Sequence, residues 1–443
     1  MVVFGGTAKE SQGMVETVYV HVGTPKSGTT YLQAVLAANK ERLARHDGVL
    51  YPGESWEDQV LAARDVLGAN PLGASADRAA GSWLRLVDEI KAWDARAAVI
   101  SMEWLGSADP DQARQIVSSL APADVEIVVT VRDLARTVPA AWQEFCQNGD
   151  TWTWEEFLRS ITAEDPFATP AGKHFWTQQD LGRLLAIWTD LVPSDKVSVI
   201  TLPPPGSPPL TLWSRFCTAI GVREPAGYDI TGGGGNESLG LESAELMRRL
   251  NEASRQARLG GGIYDLTIKR ALAKQILAQR KPQEGRLGLP AEFEGVVAAR
   301  QQAQVAQLKA SGARLVGELD DLLLPARAGG RQPADVTLEE LFMVSLDAII
   351  GLARLRQSEL SGIDEQINGL TEAAESATAA RDQSVDEREV LAAQIERRRS
   401  RPLRQAAIDL SEQHPALMKV RVAWWRSANV ARRARGHRPE GRS

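Results

Sequence analysis

Residues 23–30, which read GTPKSGTT, have the types and spacing of a loop that binds a phosphorylated ligand. The glycines Gly23 and Gly28 enclose four residues, one of which is Lys26. A β-branched and aromatic run at residues 17–22 precedes the loop, and leucines and valines at helical spacing follow it. A loop between a strand and a helix presents backbone N–H groups and the positive helix end to an anion. The sequence therefore predicts an anion site at this loop.

The position of the lysine separates this loop from the loop that binds nucleoside triphosphates. That loop reads G-x-x-x-x-G-K-[ST]; its lysine reaches the β- and γ-phosphates and its hydroxyl binds magnesium. Here Gly23, Gly28 and Thr30 fit the pattern, but residue 29 is threonine and Lys26 comes before the second glycine. This displacement favours a single phosphate that carries a sulfo group, and it predicts a site that needs no metal.

A second candidate anion ligand follows the clearest buried strand of the sequence, residues 124–131 (DVEIVVTV). Arg132 comes directly after that strand and before a helical segment. An arginine at the end of a buried strand, beside a helix N-terminus, is well placed to bind phosphate. We therefore predict that Arg132 and the loop at residues 23–30 bind one ligand.

These motifs resemble those of bacterial sulfotransferases that use 3′-phosphoadenylyl sulfate (PAPS). The string PKSGTT is similar to the family's 5′-phosphosulfate loop, which implies that Lys26 bridges the donor and its leaving phosphate. Tyr31 takes a place that is often tryptophan, where the ring stacks on adenine. The cofactor-binding residues that the resemblance implies in this loop are Pro25, Lys26, Ser27, Gly28, Thr29, Thr30 and Tyr31.

The same resemblance implies ligands for the 3′-phosphate and the nucleotide. In the family an arginine like Arg132 acts with a serine eight positions later, but here that position is Ala140. Either the nearest hydroxyl on the same helix, that of Thr137, substitutes for this serine, or the 3′-phosphate loses one hydrogen bond. The glycine-rich string at residues 231–240 (TGGGGNESLG) is similar to a later nucleotide loop of the family, and it implies that Asn236 and Ser238 bind the nucleotide.

The general base is predicted to be Glu103, which follows a predicted strand at residues 97–101. The carboxyl ends of parallel strands gather at the ligand edge of a sheet. Burial beside Trp104 would raise the pKa of this carboxyl towards the range of a base. His174 and Glu144 are the alternative bases.

The implied reaction is transfer of a sulfo group from PAPS to a hydroxyl or amine, which leaves adenosine 3′,5′-bisphosphate. The acceptor is a small molecule, a carbohydrate or a lipid, and no metal is implied. Two alternatives remain open: an ATP-dependent small-molecule kinase, and a non-catalytic nucleotide-binding scaffold, which Ala140 would favour. The net charge of −6 gives no case for nucleic-acid binding.

Strands that alternate with helices indicate a parallel sheet covered on both faces. The resemblance implies an α/β fold with three layers and a central parallel sheet of about five strands, like that of P-loop NTPases. We predict four segments. Residues 1–16 form a flexible N-terminus, 17–325 the catalytic domain, 326–336 a linker, and 337–443 a helical extension. No signal peptide or membrane span is recognisable, so a cytoplasmic protein is expected, with peripheral membrane contact as an option.

The extension carries a weak coiled-coil or helical-hairpin pattern whose apolar register fails at Arg381, Ser384 and Arg388. Its tail, residues 397–443, holds 13 lysines and arginines against three acidic residues. Two adjacent tryptophans, Trp424 and Trp425, lie within it. This tail suits contact with an anionic membrane or an acidic partner, and self-association through the extension is a further option. The plainer alternatives are a helix packed on the acidic body and a disordered tail.

Overall fold

The computed structural model describes residues 15–68, 78–233, 238–326, 330–400 and 402–435. Most of the predicted N-terminal segment, residue Asn236, and part of the predicted linker lie outside these ranges. The chain divides into two units, Met1–Leu355 and Arg356–Ser443. Among the described helices, none combines the length and the apolar character that crossing a lipid bilayer would demand.

One six-stranded sheet, parallel throughout, organises the first unit, as the sequence pattern predicts. The strand order is β2-β3-β1-β4-β5-β6. The strands are Thr17–His21 (β1), Val49–Leu50 (β2), Ala97–Ser101 (β3), Asp124–Val131 (β4), Val197–Thr201 (β5) and Arg314–Val316 (β6). The predicted sheet had about five strands and lacked β6, because a three-residue strand is too short to produce a recognisable period.

Helices connect and cover these strands, so the strand–helix alternation of the sequence is confirmed. Two helices, Pro170–Gln179 and Leu181–Thr189, meet at Asp180, whose carboxylate caps the second. The α-helices are Thr29–Ala38 (α1), Lys40–Arg42 (α2), Trp56–Val66 (α3), Ser82–Lys91 (α4), Pro110–Ser119 (α5), Leu134–Gln147 (α6), Trp154–Thr162 (α7), Pro170–Gln179 (α8), Leu181–Thr189 (α9), Leu210–Ile220 (α10), Leu241–Gln256 (α11), Gly261–Ile263 (α12), Ala291–Ser311 (α13), Leu338–Arg399 (α14), Pro402–Gln413 (α15) and Pro415–Arg435 (α16).

The two faces of the sheet bury separate apolar cores, which makes the unit three-layered. In β1, Val18 and Val20 point into one core, and Tyr19 between them points into the other. In β4, Ile127 belongs to the first core and Val128 to the second. Each apolar side chain removed from water in this way contributes roughly 1.5–3 kcal/mol, so the strands that carry the ligand edge are firmly held.

The second unit, Arg356–Ser443, consists of the later part of α14 followed by α15 and α16. Within its described residues, no apolar side chain is buried. Its helices therefore lack the apolar core that stabilises the helices of the first unit.

Candidate anion-binding site

The loop at residues 23–30 joins β1 to α1 in a conformation that depends on its glycines. Gly23 has φ 101° and Gly28 has φ 89°, values at which side chains are strained. A Cβ on Gly23 would lie 2.9 Å from the carbonyl oxygen of Glu103, and one on Gly28 would lie 2.6 Å from a methyl carbon of Leu212. The two glycines thus allow the loop to approach β3 on one side and α10 on the other.

A buried group of hydroxyls and one imidazole supports the loop from below. The Ser27 hydroxyl donates to the carbonyl of Thr24 and lies 2.5 Å from Oγ1 of Thr130. Oγ1 of Thr130 is 3.1 Å from Nε2 of His21, whose Nδ1 is 2.8 Å from Oγ of Ser101. Burial lowers the pKa of His21 to about 3, so its ring is neutral at physiological pH. The network ties β1, β3 and β4 to the loop.

A cavity of about 930 Å³ lies above the loop. It brings together ten of the residues that the sequence singled out: Pro25, Lys26, Gly28, Thr29, Thr30, Tyr31, Glu103, Arg132, Glu144 and Ser238. Ser27 does not line it, because its fully buried side chain belongs to the network below the loop. The predicted role of Ser27 in binding phosphate is therefore limited to its backbone.

One face of α6 forms a wall of this cavity, and it corrects the expectation for Thr137. The wall includes Arg136 and Ala140, which are four residues apart and so share a face. Thr137 is not part of this wall: it is fully buried and makes no hydrogen bond through its hydroxyl to any described residue. A side chain that replaced the missing serine would have to line the cavity, and Thr137 does not do so in this structure.

Arg136 is a cavity residue that the sequence reasoning missed. Its side chain is only 11% exposed, and its Nε donates to the carboxylate of the buried Asp133. Its Nη2 is buried and has no hydrogen-bond partner among the described residues. Helical periodicity would have found it, because Arg136 is one turn after Arg132 and one turn before Ala140.

Two further cations come from a distant part of the chain. Lys281 and Arg286 line the cavity and are exposed. They follow α12 in a segment that contains Gly285 and Gly288, and no motif in the sequence pointed to them. Charged residues of both signs thus line the cavity: Lys26, Arg132, Arg136, Lys281 and Arg286, with Glu103, Glu144 and Glu284.

Lys26 contacts α6 through its side chain and Arg132, at the end of β4, through its backbone carbonyl. Its ammonium lies 3.2 Å from Oε2 of Glu144, and both side chains are partly exposed. Its carbonyl accepts a hydrogen bond from Nη1 of Arg132 at 3.4 Å. Glu144 therefore neutralises Lys26 here, and an anion in the cavity would compete with it.

Glu103 begins a short 3₁₀ helix directly after β3, and Gln33 of α1 fixes its carboxylate. Nε2 of Gln33 donates to Oε2 of Glu103 at 2.7 Å, and Oε1 of Gln33 accepts from Nε1 of Trp56 at 3.0 Å. Burial raises the pKa of Glu103, the hydrogen bond from Gln33 opposes that rise, and the charge of Glu144 adds to it. This is the environment of a carboxylate that can accept a proton.

His174, the alternative base, does not lie with these residues. It is absent from the cavity wall, packs against Phe145 with 4.3 Å between ring centroids, and lies 3.8 Å from the carboxylate of Asp150. The cavity therefore brings Glu103 and Glu144 together with the loop but excludes His174.

No protein-family model matches this chain, and no curated protein matches it at a significant level. Among solved structures, a sulfotransferase from Alicyclobacillus acidocaldarius is similar to it, with 13% sequence identity and a TM-score of 0.40. The similarity covers 67% of this chain and 95% of that chain. A likeness this distant carries no information on the reaction, so a function has to rest on the residues of the cavity.

Proposed function

We propose that this protein is a sulfotransferase that moves a sulfo group from PAPS to a hydroxyl or amine of a small-molecule, carbohydrate or lipid acceptor. One observation carries the proposal. A single cavity joins the N-terminus of α1, the ammonium of Lys26, the guanidinium of Arg132 and the carboxylate of Glu103. These are the groups that an anionic donor and the proton of an acceptor require.

The donor would occupy the cavity with its 5′-phosphosulfate at the loop. Backbone N–H groups at residues 28–30 and the helix end bind the phosphate, because both carry positive partial charge. Lys26 would exchange Glu144 for the donor. The 3′-phosphate would lie towards Arg132 and Arg136, and the unpartnered Nη2 of Arg136 offers it a charge-assisted hydrogen bond.

The reaction joins the acceptor oxygen or nitrogen to sulfur and breaks the bond from sulfur to the bridging phosphate oxygen. The acceptor proton passes to Glu103, while the electron pair of the broken bond stays on the leaving phosphate. Lys26 stabilises the charge that develops on that phosphate. Gln33 holds Glu103 in one orientation, so the base needs no rearrangement as the acceptor reacts.

Ligand-dependent thermal unfolding tests the choice of nucleotide. Adenosine 3′,5′-bisphosphate without magnesium should raise the melting temperature; at 100 times its dissociation constant it contributes about 2.7 kcal/mol. ATP with magnesium should do so much less. Stabilisation by ATP with magnesium alone would favour the kinase, and it would sink the sulfotransferase proposal.

Turnover separates an enzyme from a binding scaffold. With PAPS labelled in its sulfo group, label should appear in an acceptor from a panel of sugars, lipids and phenols. A protein that binds the bisphosphate tightly yet transfers no label to any of these, even at high protein concentration, would be a scaffold.

A further inference from the structure

The helix α14, Leu338–Arg399, has 62 residues, which corresponds to a length of about 93 Å. Its buried residues are confined to its start, at Leu341, Val344 and Ala348. Helices in water draw most of their stability from tertiary packing of an apolar face. The later turns of α14 receive no such packing from the described part of this chain.

An apolar stripe at heptad spacing runs along this helix. Ten of eleven successive positions, spaced alternately by three and four residues, are apolar, and Arg356 is the exception. The ten, here called the α14 stripe, are Phe342, Leu346, Ile349, Ala353, Leu360, Ile363, Ile367, Leu370, Ala374 and Ala377. Every member is exposed, Leu370 to 72% and Ile349 to 64%.

The stripe is not the face that anchors the helix to its own core. At 100° per residue, Leu341, Val344 and Ala348 point away from Phe342 and Ile349. The start of the helix is thus apolar on two faces, and the core of the first unit covers only one of them. The described residues of this chain leave the α14 stripe uncovered.

We infer that the α14 stripe binds the same stripe of a second copy of this chain, as a two-stranded coiled coil. A period of 3.5 residues keeps a seam facing a partner only when the partner is a helix with the same period. A second copy supplies that period over the same 36 residues, about 54 Å of helix. Covering both stripes would bury roughly 1,000–1,500 Å², which is enough for a specific interface.

The extent of the stripe limits the contact to residues 342–377. Beyond Ala377 the next three heptad positions hold Arg381, Ser384 and Arg388, which do not pack in an apolar seam. No residue of the α14 stripe lines the cavity, and this inference does not depend on the proposed reaction.

Sedimentation equilibrium of the full-length chain tests the inference. The wild type should behave as a particle of twice 48.1 kDa at low micromolar concentration. For the double variant Ile363→Asp with Ile367→Asp, the dissociation constant of the dimer should be roughly 100-fold higher, because the variant buries charge in the seam. The matched control, Ser358→Asp with Ala379→Asp, adds the same charges on the outer face and should remain dimeric.

Three results would overturn the inference. They are a wild-type mass of 48.1 kDa at all concentrations, a trimer or larger assembly, and a stripe variant that stays as dimeric as the control. The wild-type mass alone decides the first two, whatever the variants do. A thermal unfolding transition retained in the stripe variant shows that loss of the dimer is not loss of the fold.

Discussion

The loop at residues 23–30 and the later part of α14 are opposite kinds of structure within one chain. The loop is surrounded: glycines bring it against β3 and α10, and buried hydroxyls hold it from below. The later part of α14 lacks such packing among the described residues, since its side chains are almost all exposed. Changes in the loop region should therefore alter ligand binding and turnover, whereas changes in the exposed later part of α14 should alter assembly alone.

The largest expected effect comes from removing the base. Glu103→Gln keeps the shape of the side chain and its contact with Gln33, but it cannot accept the acceptor proton. Turnover should fall by about 10²–10⁴-fold, while affinity for the donor barely changes. Steady-state kinetics together with equilibrium binding of adenosine 3′,5′-bisphosphate would measure both.

Lys26→Ala provides the contrast to Glu103→Gln. It removes a group that touches the donor before and during the reaction, so donor affinity and turnover should both fall. Near-normal turnover in Glu103→Gln would place the base elsewhere; Glu144 would be tested first, since it also lines the cavity, and His174 after it.

The next largest effect concerns recognition of the 3′-phosphate. Arg132→Ala should weaken binding of adenosine 3′,5′-bisphosphate by about 10–100-fold, because a charge-assisted hydrogen bond is worth roughly 1.5–3 kcal/mol. Binding of adenosine 5′-phosphate, which lacks the 3′-phosphate, should change much less. Isothermal titration of both nucleotides measures the difference.

Arg136→Ala tests recognition of the 3′-phosphate at a second arginine of the cavity. If Arg136 acts in place of the serine that Ala140 replaces, Arg136→Ala should weaken binding of adenosine 3′,5′-bisphosphate more than binding of adenosine 5′-phosphate. The matched control is Arg159→Ala, which removes an exposed arginine outside the cavity. Equal losses for the two nucleotides in either cavity variant would mean that this arginine does not contact the 3′-phosphate.

A smaller effect is expected on the pH profile. The reaction needs Glu103 as a carboxylate, so turnover should rise as pH increases through its pKa, which burial holds above the ordinary value. Gln33→Leu removes a hydrogen bond that favours the charged form, so the pKa should rise further and the acidic limb should move to higher pH. Turnover at high pH should largely recover.

Trp56→Phe is the milder companion of Gln33→Leu, because it removes only the indole N–H that holds Gln33. It should move the acidic limb in the same direction by less. A limb that moves to lower pH in Gln33→Leu would contradict the assignment of Glu103 as the titrating group.

The smallest effect on the site should come from the end of the chain. Deleting residues 401–443 should leave nucleotide affinity within about twofold, because no residue of the cavity wall lies beyond Leu289. The deletion also removes most of the basic excess of the tail, for which the sequence gives contact with an anionic membrane as one option. The intact chain should sediment with anionic vesicles at low salt but not with neutral ones. Weakened nucleotide binding in the truncated chain would contradict the expectation that the end of the chain does not contribute to the site.

The sequence was sufficient to predict the parallel sheet and the placement of the loop at residues 23–30, Arg132 and Glu103 around one cavity. Each of these lies at or just after the end of a strand, and parallel strands bring such residues to one edge of the sheet. The orientation of Ser27 and Thr137 was not predictable, because it depends on which face packs against the sheet. Lys281 and Arg286 were not predictable either, since only the fold brings so distant a segment to the loop.

The ion pair between Lys26 and Glu144 has a kinetic consequence for the proposed reaction. In that reaction Glu144 would act as an internal substitute for the donor: it would leave Lys26 when the donor binds and return when the spent nucleotide departs. A chain without this carboxylate would hold substrate and product more tightly alike, and slow departure of the bisphosphate would then limit the catalytic cycle. Glu144 would thus lower the affinity of the site for both nucleotides and speed their release, even though it takes no part in the bond that forms.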